Sequence, residues 1–228
     1  MSVQPRLMRL GDLEAIEFPG DDPKALTVIC LHGYGADMRD LAPLAQEVPA
    51  GRPLRWIFPN APVSLDWGGR AWFPIDVAAF EAAQRTGRPR DLSEGEPEGM
   101  AESRRLLQGL IDDLGEDYAR LIFMGFSQGS MMSVDLALRA PKSPAGVVVL
   151  SGTLLDQETL SRLAPARKGL RFFQSHGSAD PILGFAQALA LEKALTTAGW
   201  SGSLRRFEGG HGVPPEIAGE LGEWLEAL

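Results

Sequence analysis

The letters G-F-S-Q-G at residues 125–129 place a serine, Ser127, where it could act as a nucleophile. An apolar run at residues 119–124 precedes it, and a segment with helical spacing at residues 130–138 follows. A strand that turns sharply into a helix through G-x-S-x-G presents the serine hydroxyl at the end of the sheet. The alternative is a serine that caps the following helix. Chance alone would supply about 0.2 such pentapeptides in a chain of this composition, so the interpretation depends on partners for Ser127.

A nucleophilic serine needs a histidine as its base, and the chain has 3 histidines. His32, His176 and His211 are each followed by glycine, and each comes after an apolar run or a glycine pair. In an open α/β sheet this places all of them at the carboxyl ends of strands, where sites gather. The order serine, acid, histidine excludes His32 as the base and favours His211. The alternative for His211 is a ring that binds loop or helix backbone.

The carboxylate that orients the histidine is expected between the serine and the histidine, just after a strand. Asp180 meets this condition, because it follows the apolar run at residues 170–175. An aspartate before a proline can also simply begin a turn or helix. Asp156 is the rival, and Ser127, Asp156 and His176 would form a second triad in the same chain order.

Two backbone N–H groups are candidates for binding the oxyanion of a tetrahedral intermediate. The first belongs to Gln128, the residue after the serine, at the start of a helix whose dipole favours negative charge. The second is expected in an early strand-to-helix loop. The segment at residues 31–37 occupies that place, and the N–H of Tyr34 is the candidate within it.

The elements that must position these residues follow a strand–helix alternation along the whole chain. Runs such as residues 146–150 are apolar on both faces, as in a parallel sheet covered on both sides. The alternation predicts an open α/β sheet with right-handed crossovers. The predicted strands are residues 26–31, 54–58, 119–125, 145–151, 170–175 and 203–207, with a hairpin inside 6–18, and the predicted helical faces span residues 100–114, 185–195 and 217–228.

Residues 59–96 are the one long irregular stretch. They contain Trp67, Trp72 and Phe73 among glycines and prolines, and the pattern suggests exposed aromatic side chains. Long loops inside a compact domain are usually functional, so we predict that this segment forms a pocket wall. There is no internal repeat and no linker, which predicts a single domain over residues 1–228.

Composition excludes several classes of partner. A net charge of -8 argues against nucleic acid, which attracts basic surfaces. The arginines at 85, 88 and 90 are expected to form a solvated loop rather than a binding site.

The N-terminus lacks an apolar stretch of signal-peptide length, and no run is long enough to span a membrane. The lone cysteine, Cys30, lies in an apolar run, which favours a core role, and a cytoplasmic location is predicted. The oligomeric state is left open, a homodimer included.

Taken together, these motifs resemble the phospholipase/carboxylesterase family of α/β-hydrolases, which includes acyl-protein thioesterases and small bacterial carboxylesterases. The resemblance covers about residues 24 to 225 and rests on the motifs at residues 31–35, 59–62, 72–73, 125–129, 176–181 and 210–212. It implies an α/β-hydrolase fold with a mostly parallel sheet, helices on both faces and no large cap domain. It also implies a triad of Ser127, Asp180 and His211, oxyanion N–H groups from Tyr34 and Gln128, and no need for a metal or an organic cofactor.

Two segments depart from the family pattern. Residues 34–38 read Y-G-A-D-M where acyl-protein thioesterases typically have leucine-glycine-aspartate-threonine. In the helix after the serine, Met131, Met132 and Asp135 stand where small and aliphatic residues are usual. These departures concern specificity for acylated proteins more than the chemistry of ester cleavage.

The sequence therefore predicts a serine esterase for small-molecule carboxylic esters with short to medium acyl chains. The acyl chain is predicted to contact a set of apolar loop residues: Leu65, Trp67, Trp72, Phe73, Leu154 and Leu183. A thioesterase or a lysophospholipase would use the same machinery. A non-catalytic binding protein of this fold usually lacks a triad member, whereas here candidates for all are present, and a dienelactone-type hydrolase would have cysteine at position 127.

Overall fold

The computed structural model describes residues 4–76, 85 and 92–228. The apolar runs form the strands of an eight-stranded sheet in the order β1-β2-β4-β3-β7-β8-β9-β10, and β5 and β6 form a separate two-stranded sheet. The strands are β1 Arg6–Leu10, β2 Leu13–Phe18, β3 Leu26–Leu31, β4 Leu54–Pro59, β5 Val63–Ser64, β6 Arg70–Ala71, β7 Leu121–Phe126, β8 Gly146–Leu150, β9 Arg171–Gly177 and β10 Ser201–Phe207.

The sheet is antiparallel only at its first edge. The β1–β2 hairpin and the β2–β4 pair are antiparallel, and every pair from β4 to β10 is parallel. The central strands β3 and β8 are buried along their whole length, because both of their faces are covered. The carboxyl ends of β3, β7 and β9 therefore lie along one edge of the sheet, which confirms the predicted mostly parallel sheet.

Helices cover both faces of this sheet and create two apolar clusters. One cluster contains the buried faces of the helices Met100–Leu114, Gln128–Arg139 and Phe185–Thr197 together with Trp72 and Phe73. The other lies under the helices Leu44–Glu47 and Pro215–Glu226 and includes Cys30. Burial raises the pKa of the Cys30 thiol far above its usual range. The helices are α1 Leu44–Glu47, α2 Met100–Leu114, α3 Gln128–Arg139, α4 Gln157–Leu163, α5 Phe185–Thr197 and α6 Pro215–Glu226.

Among residues 4–76 and 92–228 there is no large cap domain over the sheet, in agreement with the predicted α/β-hydrolase fold. None of the helices that the structure describes has the length and apolar character needed to cross a membrane.

The structure differs from the sequence prediction mainly between residues 59 and 120. Residues Tyr118–Arg120 form a 3₁₀ turn and not the start of β7, because the side chain of Asp117 accepts from the N–H of Ala119 and caps the turn. Residues 63–71 form the short β5–β6 hairpin, which the irregular composition does not reveal. Arg85 is exposed, and the arginines at 88 and 90 lie outside the described residues.

Candidate active site

Ser127 sits at the turn between β7 and α3, in a backbone conformation that only a specific site would retain. Its φ is 52° and its ψ is −117°, in a region that costs a non-glycine residue about 1–3 kcal/mol. The backbone on both sides holds it there: its N–H donates to the carbonyl oxygen of Leu150 at 2.9 Å, and its own carbonyl accepts from Ser130 Oγ at 2.6 Å. The turn therefore presents the serine side chain at the carboxyl end of β7.

The glycines on either side of the serine are required by close backbone packing. A Cβ at Gly125 would overlap the backbone of Gly129 in the first turn of α3. A Cβ at Gly129 would overlap the carbonyl oxygen of Leu31, at the end of β3. The G-x-S-x-G pattern thus reflects contact between three chain segments in this protein.

Asp180 and His211 form a hydrogen-bonded pair in the same region. His211 Nδ1 lies 2.7 Å from Asp180 Oδ2. The other carboxylate oxygen of Asp180 accepts the backbone N–H groups of Ile182 at 2.8 Å and Leu183 at 3.0 Å. Burial by itself raises the pKa of Asp180, but hydrogen bonds from His176 and His211 outweigh it and hold that pKa well below its usual range. Asp180 is therefore a carboxylate that can orient the His211 ring.

The loop that carries His211 is fastened to the ends of two neighbouring strands. The N–H of Ala179 donates to the carbonyl of Gly209 at 2.9 Å, and Ser151 Oγ donates to the carbonyl of Gly212 at 3.0 Å. The His211 ring packs against Phe126, with 4.8 Å between ring centroids. Because Phe126 directly precedes Ser127, this packing brings the histidine to the serine turn.

His176 is fully buried behind Asp180. Its Nε2 lies 2.6 Å from the carbonyl oxygen of Leu183 and 3.2 Å from Asp180 Oδ2. A carbonyl only accepts, so the proton is on Nε2. Asp156, the rival acid, instead caps α4, where its Oδ1 accepts the N–H of Thr159 at 3.1 Å. The structure thus brings His176 to Asp180 and does not bring it to Asp156.

The third histidine shapes the loop that carries Tyr34. His32 Nδ1 donates to the carbonyl of Gly33 at 2.8 Å, and its Nε2 accepts the N–H of Ala61 at 3.1 Å. Burial is the largest influence on the pKa of His32 and lowers it, which agrees with a neutral ring. Both ring nitrogens are engaged, so His32 supports the loop and is not placed to act as a base.

The side chain of Gln128 joins the serine helix to the wall of the site. Its Oε1 accepts the N–H of Trp72 at 2.8 Å, and its Nε2 donates to the carbonyl of Phe73 at 2.7 Å. The indole N–H of Trp72 donates to the carbonyl of His32 at 2.9 Å. One connected network therefore links both predicted oxyanion segments to residues 72–73. We call the two hydrogen bonds that the Gln128 side chain makes to Trp72 and Phe73 the amide clasp. The G-x-S-x-G motif contains no signal for it.

A cleft of about 840 Å³ connects these groups. It is lined by Ser127, Gln128, His211 and Tyr34. Gln128 is the first residue of α3, so its backbone N–H has no partner within the helix. These sequence-predicted site residues, on three separate segments, are thus brought to one surface. Among the described residues, no group of three or more histidine, cysteine, aspartate or glutamate side chains is arranged to hold a metal ion.

The predicted acyl-contact residues divide into two groups. Trp67, Phe73 and Leu183 line the cleft, and Trp67 is 68% exposed at its rim. The other three do not line it. Trp72 is fully buried with its ring 5.4 Å from that of His32, Leu154 lies in the core, and Leu65 is part of the turn at the end of the β5–β6 hairpin.

Several apolar residues of the cleft were not predicted: Ile75, Leu92, Phe126, Met131 and Ile182. Two of them had a readable signal. Ile182 follows Asp180 by two positions, and Met131 lies four positions after Ser127, on the same face of α3.

A sequence model of the Phospholipase/Carboxylesterase family matches residues 12–228. The chain belongs to this family. The match spans nearly all of the described structure, and it confirms the resemblance found from the motifs.

Individual members of the carboxylesterase family show moderate identity over most of the chain. A probable carboxylesterase of Oryza sativa subsp. japonica is 28% identical over 211 residues, which cover 87% of this chain and 76% of that protein. Acyl-protein thioesterase 1 of Mycosarcoma maydis is 32% identical over 178 residues, which cover 69% of this chain and 70% of that protein. The crystal structure of esterase PE8 superposes with a TM-score of 0.78 at 25% identity, covering 94% of this chain and 98% of that one.

Proposed function

We propose that this member of the carboxylesterase family is a serine esterase that cleaves carboxylic esters with short to medium acyl chains through an acyl-enzyme on Ser127. The observation that carries the proposal is the Asp180–His211 pair, 2.7 Å apart, whose histidine lines the same cleft as a serine held at φ 52°. A serine that merely capped a helix would need neither the strained turn nor this pair.

The first half of the reaction follows from which atoms are engaged. Because Nδ1 of His211 faces Asp180, Nε2 is the nitrogen that takes the proton from Ser127 Oγ as the oxygen attacks the ester carbonyl. The new C–O bond gives a tetrahedral oxyanion, which accepts the N–H groups of Tyr34 and Gln128. Asp180 remains a carboxylate and stabilises the imidazolium. When the intermediate collapses, His211 returns the proton to the departing alcohol.

The second half repeats these steps with water. His211 removes a proton from a water molecule as it attacks the acyl carbonyl, and the bond to Ser127 Oγ breaks. The free acid leaves, and the serine regains its proton from His211.

The cleft supports an acyl chain of limited length. Its apolar wall includes Phe73, Met131 and Leu183, and the volume of about 840 Å³ is within the range of small-molecule sites. The same machinery would serve a thioesterase or a lysophospholipase, and the relatives named acyl-protein thioesterase favour the first of these as the second candidate. Ester and thioester substrates with one acyl group separate the two.

We also propose that residues 1–228 act as one domain in the cytoplasm. The sheet joins strands from both ends of the chain, and the buried Cys30 thiol is free. A lone thiol of this kind is typical of proteins in a reducing compartment.

A panel of p-nitrophenyl esters, from acetate through butyrate and octanoate to laurate, tests the proposal. We expect Ser127→Ala to lower kcat by roughly 10⁴- to 10⁶-fold on every ester that the wild type cleaves. Ser133→Ala is the matched control: this serine is buried on the same helix, and its hydroxyl donates only to the carbonyl of Gly129. Activity that survives in Ser127→Ala would contradict the proposed nucleophile.

A further inference from the structure

A second, smaller cavity of about 20 Å³ lies behind the wall of the cleft. It is about large enough for one water molecule. Its walls are mainly the apolar side chains of Met100, Val134, Leu138, Leu155, Leu160 and Leu191. An acyl chain that reached it would therefore enter an apolar space continuous with the protein core.

Among the described residues, only Met131 and Glu96 line both this inner cavity and the cleft. Glu96 is held by ion pairs to two guanidinium groups, those of Arg104 and, at 3.2 Å, Arg139. Met131 is 6% exposed and is the apolar member of the pair. Met131 is thus the apolar side chain between the two spaces that an acyl chain would contact.

Met131 is also correctly placed relative to the reacting atoms. It lies one turn into α3, and its N–H donates to the carbonyl of Ser127 at 3.4 Å. Phe73 and Met131 line the same cleft as Ser127, Tyr34 and Gln128, so an acyl arm that extends along this apolar wall would contact both side chains. Met131 also lines the inner cavity, so its side chain lies between that arm and the second space.

We propose that Met131 sets the upper limit of acyl-chain length by closing the cleft off from the inner cavity. This proposal rests on the proposed esterase function and specifies its substrate preference. Methionine is unbranched and adapts its shape, so it accepts a range of short chains while still filling the passage. A longer chain would have to displace it or bend away from the wall.

Truncation of Met131 should therefore join the two spaces. Met131→Ala removes every side-chain atom beyond Cβ, and Met131→Val removes Sδ and Cε while adding a second γ-methyl group. For esters longer than the wild-type optimum, each further methylene that becomes buried should raise kcat/KM by about fourfold relative to the wild type. The gain should be graded, larger for alanine than for valine, and the shortest esters should gain nothing.

Met132→Ala provides the matched control. Met132 is the next residue of the same helix, is fully buried in the core and lines neither space. Met132→Ala removes the same atoms as Met131→Ala, so it reproduces any general destabilisation of the helix without joining the cleft to the inner cavity. If Met131→Ala does not fold by circular dichroism, Met131→Val carries the test alone.

The measurement is kcat/KM across the p-nitrophenyl ester panel for the wild type, both Met131 variants and Met132→Ala. The expected result is a shift of the optimum to longer chains in the Met131 variants only. Active Met131 variants with the wild-type profile, or an equal shift in Met132→Ala, would overturn the role of Met131. Absence of Ser127-dependent hydrolysis in the wild type would instead overturn the proposed function itself.

Discussion

The two histidines that bond to Asp180 should differ sharply in what their loss does to catalysis. His211 approaches Oδ2 through Nδ1 at 2.7 Å and lines the cleft with Ser127. His176 is fully buried and reaches the same oxygen through Nε2 at 3.2 Å. We predict that His211 is the base and that His176 positions the carboxylate.

The magnitudes follow from these contacts. His211→Ala removes the base, which should lower kcat by roughly 10⁴- to 10⁶-fold. His176→Gln weakens one bond to a charged group, worth about 1.5–3 kcal/mol, or about 10- to 150-fold at most. Asp180 keeps the two backbone N–H groups of Ile182 and Leu183 and the bond from His211, so a smaller loss is expected. The two variants should differ by roughly 10² or more.

The assay is kcat and KM on p-nitrophenyl butyrate for both variants, with circular dichroism and thermal unfolding to confirm folding. Folding must be checked because His176 Nε2 also bonds to the carbonyl of Leu183 at 2.6 Å. Equal losses in the two variants, or His211→Ala within tenfold of the wild type, would refute the assignment. In that case the rival triad with Asp156 predicts that Asp156→Ala is inactive, while the present assignment predicts only a less stable α4.

Three further predictions concern the carboxylate, the glycines and the amide clasp. Asp180→Asn should lower kcat by about 10⁴-fold. The folded state depresses the pKa of Asp180, so its carboxylate stabilises the fold at pH values above the ordinary pKa of about 3.9. In urea unfolding, the difference in free energy of unfolding between wild type and variant should therefore narrow as the pH falls below about 3.9, and a difference that widens would be contrary evidence. Gly129→Ala should prevent normal folding, because the new Cβ would overlap the backbone of Leu31. Gly109→Ala, in open space on α2, should instead raise the free energy of unfolding by about 0.5–1 kcal/mol. A soluble, active Gly129→Ala would show that the packing argument is wrong. Gln128→Leu keeps its own backbone N–H but leaves the N–H of Trp72 and the carbonyl of Phe73 buried without their partner. The free energy of unfolding, measured by thermal unfolding, should therefore fall by about 2–6 kcal/mol. An unchanged midpoint would mean that the amide clasp is not formed in solution.

The fold and the contact between Asp180 and His211 were predictable because they rest on local rules. The apolar run at residues 146–150 predicts a strand that is buried on both faces, and in the structure it forms β8. Chain order and the position of each histidine after a strand singled out His211 and Asp180, and the structure places these two side chains in hydrogen-bond contact. Strand ends converge in a parallel sheet, so the motif positions carry three-dimensional information.

The pocket was less predictable because its walls depend on long-range packing. Trp72 and Phe73 are adjacent, yet the Trp72 ring is buried against His32 while Phe73 faces the cleft. That difference depends on the Gln128 clasp, which joins residues more than fifty positions apart. Met131 lies among residues that are buried on every side of α3, so hydrophobic periodicity alone does not mark the side that meets the cleft; only the spacing of four positions from Ser127 does.

The most direct test of the central claim is to trap the covalent intermediate. Diethyl p-nitrophenyl phosphate should phosphorylate the activated serine, with p-nitrophenolate as the leaving group, and peptide mass spectrometry locates the new bond. We predict one adduct, on Ser127, which forms far more slowly in His211→Ala. An adduct on another residue, or none under conditions in which the wild type hydrolyses esters, would contradict the mechanism.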